Sequence, residues 1–162
     1  MEELQQQLQE QDLRIDRIAG VSGSGGTQAG LLVGSYGLGM NIPIEGLHND
    51  LPDDFRDTVR KLTDDTLAFL GIETQMTIPD EAVILHEAGA YAYGTITDQE
   101  REAIRLMART EGIILDPIYT GRGFGELLKR IRAGVYSPKE HILFWHTGGT
   151  SGLFARAEDM RH

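Results

Sequence analysis

The stretch Ile15–Val33, "IDRIAGVSGSGGTQAGLLV", decides the fold of this 162-residue chain. Its short apolar run, 15–21, is typical of a buried strand, and five small residues interrupt the run directly afterwards. From Thr27 onward the sequence regains helical character. Strand, glycine loop and helix form the first unit of an α/β fold, so we expect a largely parallel sheet covered by helices.

The loop Ser22–Thr27 is a candidate phosphate-binding site. Glycines let backbone N–H groups approach an anion, and the N-terminus of a helix adds partial positive charge. Gln28 stands where the dinucleotide-binding fingerprint, counted from Gly23, would need its third glycine, and the loop lacks the lysine of a P-loop. A plain tight turn is therefore the alternative interpretation.

The rest of the chain continues the alternation of strands and helices. Thr97–Glu100 has the pattern of a capping box, and Gly71 follows a well-formed amphipathic pattern, as expected at the end of a helix. We predict a three-layer α/β sandwich formed by a single unit over residues 1–162. The predicted helices cover 2–13, 27–33, 52–70, 121–133 and the segments that begin at 97 and 152. The predicted strands cover 15–21, 40–47, 74–78, 82–85, 113–115 and 142–145.

Composition excludes several classes of protein. A net charge of −10 argues against binding to nucleic acid or to an anionic membrane. The absence of cysteine excludes disulfides, zinc–thiolate sites and a cysteine nucleophile. No apolar run is long enough to span a bilayer, and the acidic, Gln-rich N-terminus is unlike a targeting signal, so we expect a cytoplasmic protein. His86 and Glu87 lack a third ligand at metal spacing, so no metal site is predicted.

Two later loops also carry candidate site residues. Tyr119 and Thr120 follow the apolar segment 113–115, and Thr147–Ser151 follows the last predicted strand. Ligands of parallel sheets bind beyond the carboxyl ends of the strands, where these loops fall. A tyrosine at the edge of the core is the alternative for Tyr119, and also for Tyr93 in "AGAYAYG".

Three motifs together resemble one enzyme family. "SGSGGTQAGL", "ILDPIYTGRGFGEL" and "ILFWHTGGTSGLF" resemble the C-terminal half of the family of D-cysteine desulfhydrases and 1-aminocyclopropane-1-carboxylate deaminases. The resemblance runs from about residue 10 to the end of the chain. It implies the cofactor pyridoxal 5′-phosphate, a small amino-acid substrate and an incomplete tryptophan-synthase-β-like fold (fold type II).

The resemblance also implies roles for individual residues. The segment Gly23–Thr27 would cup the cofactor phosphate, and Tyr119 would be the phenol beside the substrate, with Tyr93 as a possible second phenol. Thr147 would place its hydroxyl against the pyridine nitrogen, and a hydroxyl does not hold that nitrogen protonated. The predicted cofactor-binding residues are Ser22, Gly23, Ser24, Gly25, Gly26, Thr27, Thr120, Thr147 and Gly148.

Thr120 selects one branch of the family. The deaminases carry a glutamate directly after the tyrosine, and the desulfhydrases carry a threonine. The resemblance therefore favours β-elimination of D-cysteine to pyruvate, sulfide and ammonia. A deaminase of the sister branch and a non-catalytic phosphate-binding or interaction module are the alternatives.

The chemistry of this family needs a lysine that binds the cofactor covalently. Lys61, Lys129 and Lys139 are the only lysines, and none lies in a motif like that of the family's N-terminal half. We therefore expect a truncated unit that is inactive alone, as a fragment, a separately encoded half or a degenerate domain. An exposed apolar face and a homodimer, or pairing with the missing N-terminal half, are the further expectations.

Overall fold

A computed structural model describes residues 1–48, 52–89 and 94–161 of the chain. Four strands form one sheet in the order β3-β2-β1-β4, and all three strand pairs are parallel. The strands are β1 Arg17–Val21, β2 Ile44–His48, β3 Ile84–Glu87 and β4 Ile142–Trp145. The helices are α1 Glu2–Glu10, α2 Gly26–Gly37, α3 Phe55–Leu70, α4 Asp98–Thr110, α5 Thr120–Arg132 and α6 Thr150–Ala155. The largely parallel α/β sheet predicted from the sequence is confirmed.

Helices cover both faces of the sheet, so the fold has three layers. On one face, Ile18 of β1 and Ile44 of β2 pack with the apolar sides of α2 and α3 in the main core cluster. On the other face, Ala19 and Leu47 pack against Leu127 of α5. Alternate residues of a strand point to opposite faces, and this alternation explains how β1 and β2 contribute to both clusters.

Two predicted strands do not form. At 74–78 the chain makes a turn after α3, and the carbonyl oxygen of Ile78 accepts a hydrogen bond from the Arg60 side chain instead of from a neighbouring strand. At 113–115 the segment is irregular, and Ile113 is 44% exposed. A strand is stable only with a hydrogen-bonded neighbour, and neither segment pairs with one among the described residues. The prediction of these two strands was wrong.

The order of the strands creates a switch point in the sheet. From β1 the chain moves outward through β2 to β3, and it then returns to the other side of β1 to form β4. The carboxyl ends of β1 and β4, which run parallel, therefore lie side by side although the two strands are far apart in the sequence. Open α/β sheets bind ligands in the crevice at such a point.

Candidate functional site

The glycine loop and the loop after β4 leave the sheet together at the switch point. Gly20 of β1 is paired with Trp145 of β4. Two residues beyond this pair stand Ser22 and Thr147, so the two predicted cofactor-binding loops begin next to each other.

The glycine loop has the geometry of an anion site. Gly25 adopts φ +84° and precedes Gly26, the first residue of α2, so the free N–H groups of this 12-residue helix face the end of the sheet. Ser22 is 2% exposed, and its hydroxyl oxygen has no hydrogen-bond partner among the described residues. A buried hydroxyl without a partner is costly, so its position indicates a donor that a ligand would use. Ser24 and Thr27 are exposed at the mouth of the loop.

Tyr119 lies against this loop. A Cβ atom added at Gly23 would be 3.5 Å from Cε1 of the tyrosine ring. The ring is 44% exposed, so it borders the loop without being buried in the core. The structure thus brings together the first and second predicted motifs, and it excludes a fully buried core position for Tyr119.

Thr120 is turned away from the open side of the site. It is 1% exposed, and its hydroxyl donates to Oδ1 of Asp116 at 2.7 Å while it accepts the Asp116 N–H at 2.9 Å. A hydroxyl has only one proton to donate. Because that proton is committed to Asp116, Thr120 supports the start of α5, and its contact with a cofactor stays a prediction.

The loop after β4 completes the cluster. Thr147 is exposed, and the next two residues, Gly148 and Gly149, adopt φ +101° and +92°. These left-handed conformations favour glycine. A Cβ at Gly149 would lie 2.7 Å from Asp116 Oδ1, so the third motif touches the second. The imidazole Nε2 of His146 lies 3.3 Å from the carbonyl oxygen of Ile114, a structural contact.

Asp116 is a site residue that the sequence interpretation missed. It is 3% exposed and contacts both the segment 118–120 and the loop after β4. The signal was present, since an aspartate before a proline with a threonine four residues later is typical of a side chain that accepts hydrogen bonds from the following turn.

His48 is the titratable side chain at the carboxyl end of β2. Burial lowers the pKa of its imidazole; the charge of Glu87 has a smaller effect that raises this pKa, and His86 has one that lowers it further. Its ring lies 5.9 Å from that of Phe55, and Phe55 also packs near Gly25. The side of the glycine loop that faces α3 is therefore apolar and lies near an imidazole whose pKa is lowered by burial.

The described lysines lie outside the three motifs in the sequence, and two of them pair with acidic side chains on their own helices. Lys61 Nζ pairs with Asp65 at 2.5 Å, Lys129 Nζ pairs with Glu126 at 3.1 Å, and Lys139 is exposed in a turn after α5. Tyr93 lies outside the described residues. The described part of the chain contains no cluster of three His, Asp or Glu side chains suited to a metal ion, and none of its helices could cross a bilayer.

Comparisons with known proteins show which enzymes the chain is similar to. Residues 1–148 match the family described as "Pyridoxal-phosphate dependent enzyme". A putative 1-aminocyclopropane-1-carboxylate deaminase of Pyrococcus abyssi is 34% identical over 98% of this chain and 46% of its own length. The 1-aminocyclopropane-1-carboxylate deaminase of Ralstonia nicotianae is 32% identical over 95% of this chain and 46% of its own.

A solved structure extends the similarity to the fold. The crystal structure of an "ACC deaminase homologue" superposes with a TM-score of 0.79 at 33% identity, over 90% of this chain and 43% of that one. The tryptophan-synthase-β-like fold expected from the sequence is confirmed by this likeness. The chain spans about half the length of the curated relatives it matches.

Proposed function

The chain belongs to the family of pyridoxal-phosphate-dependent enzymes, and on that premise we propose that it forms the cofactor-binding part of a deaminase that acts on 1-aminocyclopropane-1-carboxylate. The observation that carries the proposal is the meeting of three motifs at one switch point. A Cβ added at Gly23 would lie 3.5 Å from the Tyr119 ring, and one added at Gly149 would lie 2.7 Å from Asp116 Oδ1. The names of the relatives support the choice of substrate.

The residues of the glycine loop fit the phosphate of pyridoxal phosphate. The hydroxyl of Ser22 is buried without a partner, and the N–H groups that begin α2 are free for an anion. The hydroxyls of Ser24 and Thr27 are exposed beside them. When bound, the cofactor supplies a ring that withdraws electrons from the substrate carbon next to the amino group.

Thr147 and Tyr119 have separate roles in this proposal. The Thr147 hydroxyl would hold the pyridine nitrogen by a hydrogen bond, and because a hydroxyl is neutral it would not favour protonation of that nitrogen. The phenol oxygen of Tyr119 gives a proton to the substrate or takes one from it, since the ring is exposed beside the phosphate loop.

The lysine that carries the cofactor comes, in this proposal, from polypeptide outside these residues. The three lysines of the chain are exposed and none belongs to the three motifs, and two of them are in ion pairs. Apolar side chains remain exposed next to the site, including Phe154 at 70% and Ile113 at 44%. Exposed apolar surface of this kind is typical of an interface. In this proposal it is covered by the lysine-bearing half of the enzyme or by a second subunit.

β-Elimination of D-cysteine is the second candidate. The observation that favours it is the threonine at position 120, where the resemblance implies a glutamate in the deaminases. The Thr120 hydroxyl donates to Asp116. In this candidate, the site differs from that of the deaminases because it lacks the glutamate carboxylate, and not because Thr120 makes a new contact with the cofactor.

The two reactions are separated by their products. The native assembly that contains this chain would be purified through a terminal affinity tag and saturated with pyridoxal phosphate. We expect ammonia release from 1-aminocyclopropane-1-carboxylate to be faster than sulfide release from D-cysteine. The reverse order would identify the second candidate. Turnover of neither substrate, with phosphate-dependent binding preserved, would instead indicate a non-catalytic phosphate-binding module.

A further inference from the structure

Asp116 is a buried carboxylate at the centre of the three motifs. It lies between Leu115 and Pro117, four residues before the first turn of α5, and its side chain is 3% exposed. A buried carboxylate is costly unless both of its oxygens accept hydrogen bonds. The buried position of Asp116 therefore depends on the hydrogen bonds that its two oxygens accept.

Both oxygens of Asp116 are saturated by the segment that follows. Oδ2 accepts the N–H groups of Ile118 at 2.9 Å and Tyr119 at 2.8 Å. Oδ1 accepts the N–H of Thr120 at 2.8 Å and its hydroxyl at 2.7 Å. The carboxylate thus fixes the backbone of Tyr119 on both sides, and it satisfies N–H groups that the start of a helix leaves free.

The same carboxylate meets the loop after β4. A Cβ at Gly149 would lie 2.7 Å from Oδ1, and one at Gly152 would lie 3.5 Å from the Asp116 Cβ. Gly149 has φ +92°, so the loop adopts a glycine-specific conformation at the point of contact. Tyr119 in turn lies against Gly23 of the glycine loop. Asp116 therefore connects the tyrosine to the loop after β4, and the tyrosine itself reaches the glycine loop.

We propose that Asp116 is the positioning residue that holds Tyr119 against the glycine loop and sets the Thr147 loop relative to it. The inference rests on the proposed function only in taking these loops as a cofactor site, since the contacts of Asp116 exist without a ligand. Asp116 touches the other groups through hydrogen bonds and packing and takes no part in proton transfer.

The first test needs no ligand. In Asp116→Asn, the single amide oxygen can replace only one of the two carboxylate oxygens, so the N–H donors on one side of Tyr119 lose their acceptor and its backbone is no longer held on both sides. We expect the nuclear Overhauser effect between the Tyr119 ring and the Gly23 α-protons to be lost, while the methyl signals of Ile18 in the core stay unchanged. Asp98→Asn is the matched control, because that side chain is fully exposed in the first turn of α4. A Tyr119–Gly23 signal that survives in Asp116→Asn would overturn the proposal.

The second test measures coupling between the two residues. Pyridoxamine 5′-phosphate serves as the probe, because it carries the phosphate and ring without an aldehyde that reacts with surface lysines. We expect Asp116→Asn to weaken its binding about tenfold when Tyr119 is present and less than about twofold when Tyr119 is replaced by alanine. If Asp116 merely capped α5, its replacement would weaken binding of the probe by the same factor with and without Tyr119. Equal losses of affinity in the two backgrounds would overturn the proposal.

A second variant guards against simple unfolding. Gly149 is exposed, and Gly149→Ala would press a methyl group against Asp116 Oδ1 without disturbing the core. If Asp116→Asn does not fold, the same loss of the Tyr119–Gly23 signal is expected in Gly149→Ala. An unchanged signal there would count against Asp116 as the link. Failure of the wild-type chain to bind the probe would contradict the proposed function, whereas the ligand-free signal would still decide the role of Asp116.

Discussion

At the scale of single residues, the glycine loop depends on Gly25. Its φ of +84° is left-handed, and a Cβ there would lie 3.1 Å from both Leu62 Cδ1 and Val59 Cγ2 of α3. The residue therefore combines a conformation that favours glycine with a close packing contact. Gly30, one turn into α2, has no neighbouring atom within 4 Å of an added Cβ. The two glycines provide a matched comparison.

We expect Gly25→Ala to lower the free energy of unfolding by about 1–3 kcal/mol, because both strain and crowding oppose the new methyl group. Gly30→Ala is expected to be neutral or to stabilise by up to about 1 kcal/mol, since alanine is the better helix former. Urea unfolding measures both changes. Equal effects of the two substitutions would contradict the role given to Gly25.

Thr120 shows the limit of sequence interpretation at this scale. Its position after Tyr119 was read correctly as part of a motif, but the direction of its hydroxyl depends on Asp116, which takes its only proton. The glycine-rich turn that holds Ser22 and Gly23 between β1 and α2 could be predicted, since such a turn has local causes. The pattern of an aspartate followed four residues later by a threonine indicates the turn, but it does not show that the Thr120 hydroxyl donates to Asp116 rather than to a ligand.

At the scale of elements, a buried ion pair joins α4 to α5. Arg122 is 1% exposed, and its Nε donates to Glu100 Oε1 at 2.7 Å. Glu100 also accepts the Thr97 N–H at 2.7 Å in the capping box that begins α4. Burial alone would raise the pKa of Glu100, but the hydrogen bonds from Thr97 and Arg122 lower it below its usual range. The capping box was predicted from the sequence and is confirmed, whereas its partner on α5 was not foreseen.

Glu100→Gln is expected to lower the free energy of unfolding by about 3–5 kcal/mol, because it leaves the Arg122 guanidinium buried without a counter-charge. Thr97→Ala removes only the cap and should cost about 1 kcal/mol. Chemical denaturation of the two variants separates the ion pair from the cap. A Glu100→Gln cost no larger than that of Thr97→Ala would mean that Arg122 does not depend on this carboxylate.

A second polar cluster lies between the sheet and the end of α5. Glu45 of β2 is 3% exposed, with Tyr136 Oη at 2.7 Å, His86 Nε2 at 3.2 Å and an ion pair with Arg17. Burial alone would raise the pKa of the Glu45 carboxyl, but the hydrogen bonds from His86, Tyr136 and Arg17 lower it to about 2. The ordinary value is 4.5, so the ionised carboxylate stabilises the folded state above that pH.

The stabilisation from Glu45 is expected to be lost as the pH falls from about 5 to about 2. The pKa of Glu45 is lower in the folded state than in the unfolded state, so protonation at low pH favours unfolding. This difference in pKa corresponds to on the order of 3 kcal/mol of stability. Unfolding free energies of wild type and Glu45→Gln should therefore differ most near pH 6 and converge towards pH 2. Glu73→Gln, at an exposed glutamate, is the control. A difference that does not depend on pH would contradict the depressed pKa of Glu45.

At the scale of the whole molecule, the order of the strands places the site. The sequence predicts the alternation of strands and helices, and β1, β4 and the major helices form where it places them. The position of β4 on the far side of β1 could not be predicted, because pairing partners are chosen by tertiary packing and not by local pattern. The same reason explains the missing strands at 74–78 and 113–115. The switch point, which brings Ser22 beside Thr147, is thus a property of the topology alone.

The most direct measurement compares pyridoxamine 5′-phosphate with pyridoxamine as ligands of the chain. Trp145 is the sole tryptophan. It is the last residue of β4 and lies two residues before Thr147, so quenching of its fluorescence reports binding at the switch point. We expect the phosphorylated ligand to bind at least about tenfold more tightly, since only it can use the start of α2 and the Ser22 hydroxyl. Ser22→Ala should reduce this advantage and leave the binding of pyridoxamine unchanged. Equal affinities of the wild-type chain for the two ligands would contradict a phosphate site at the glycine loop.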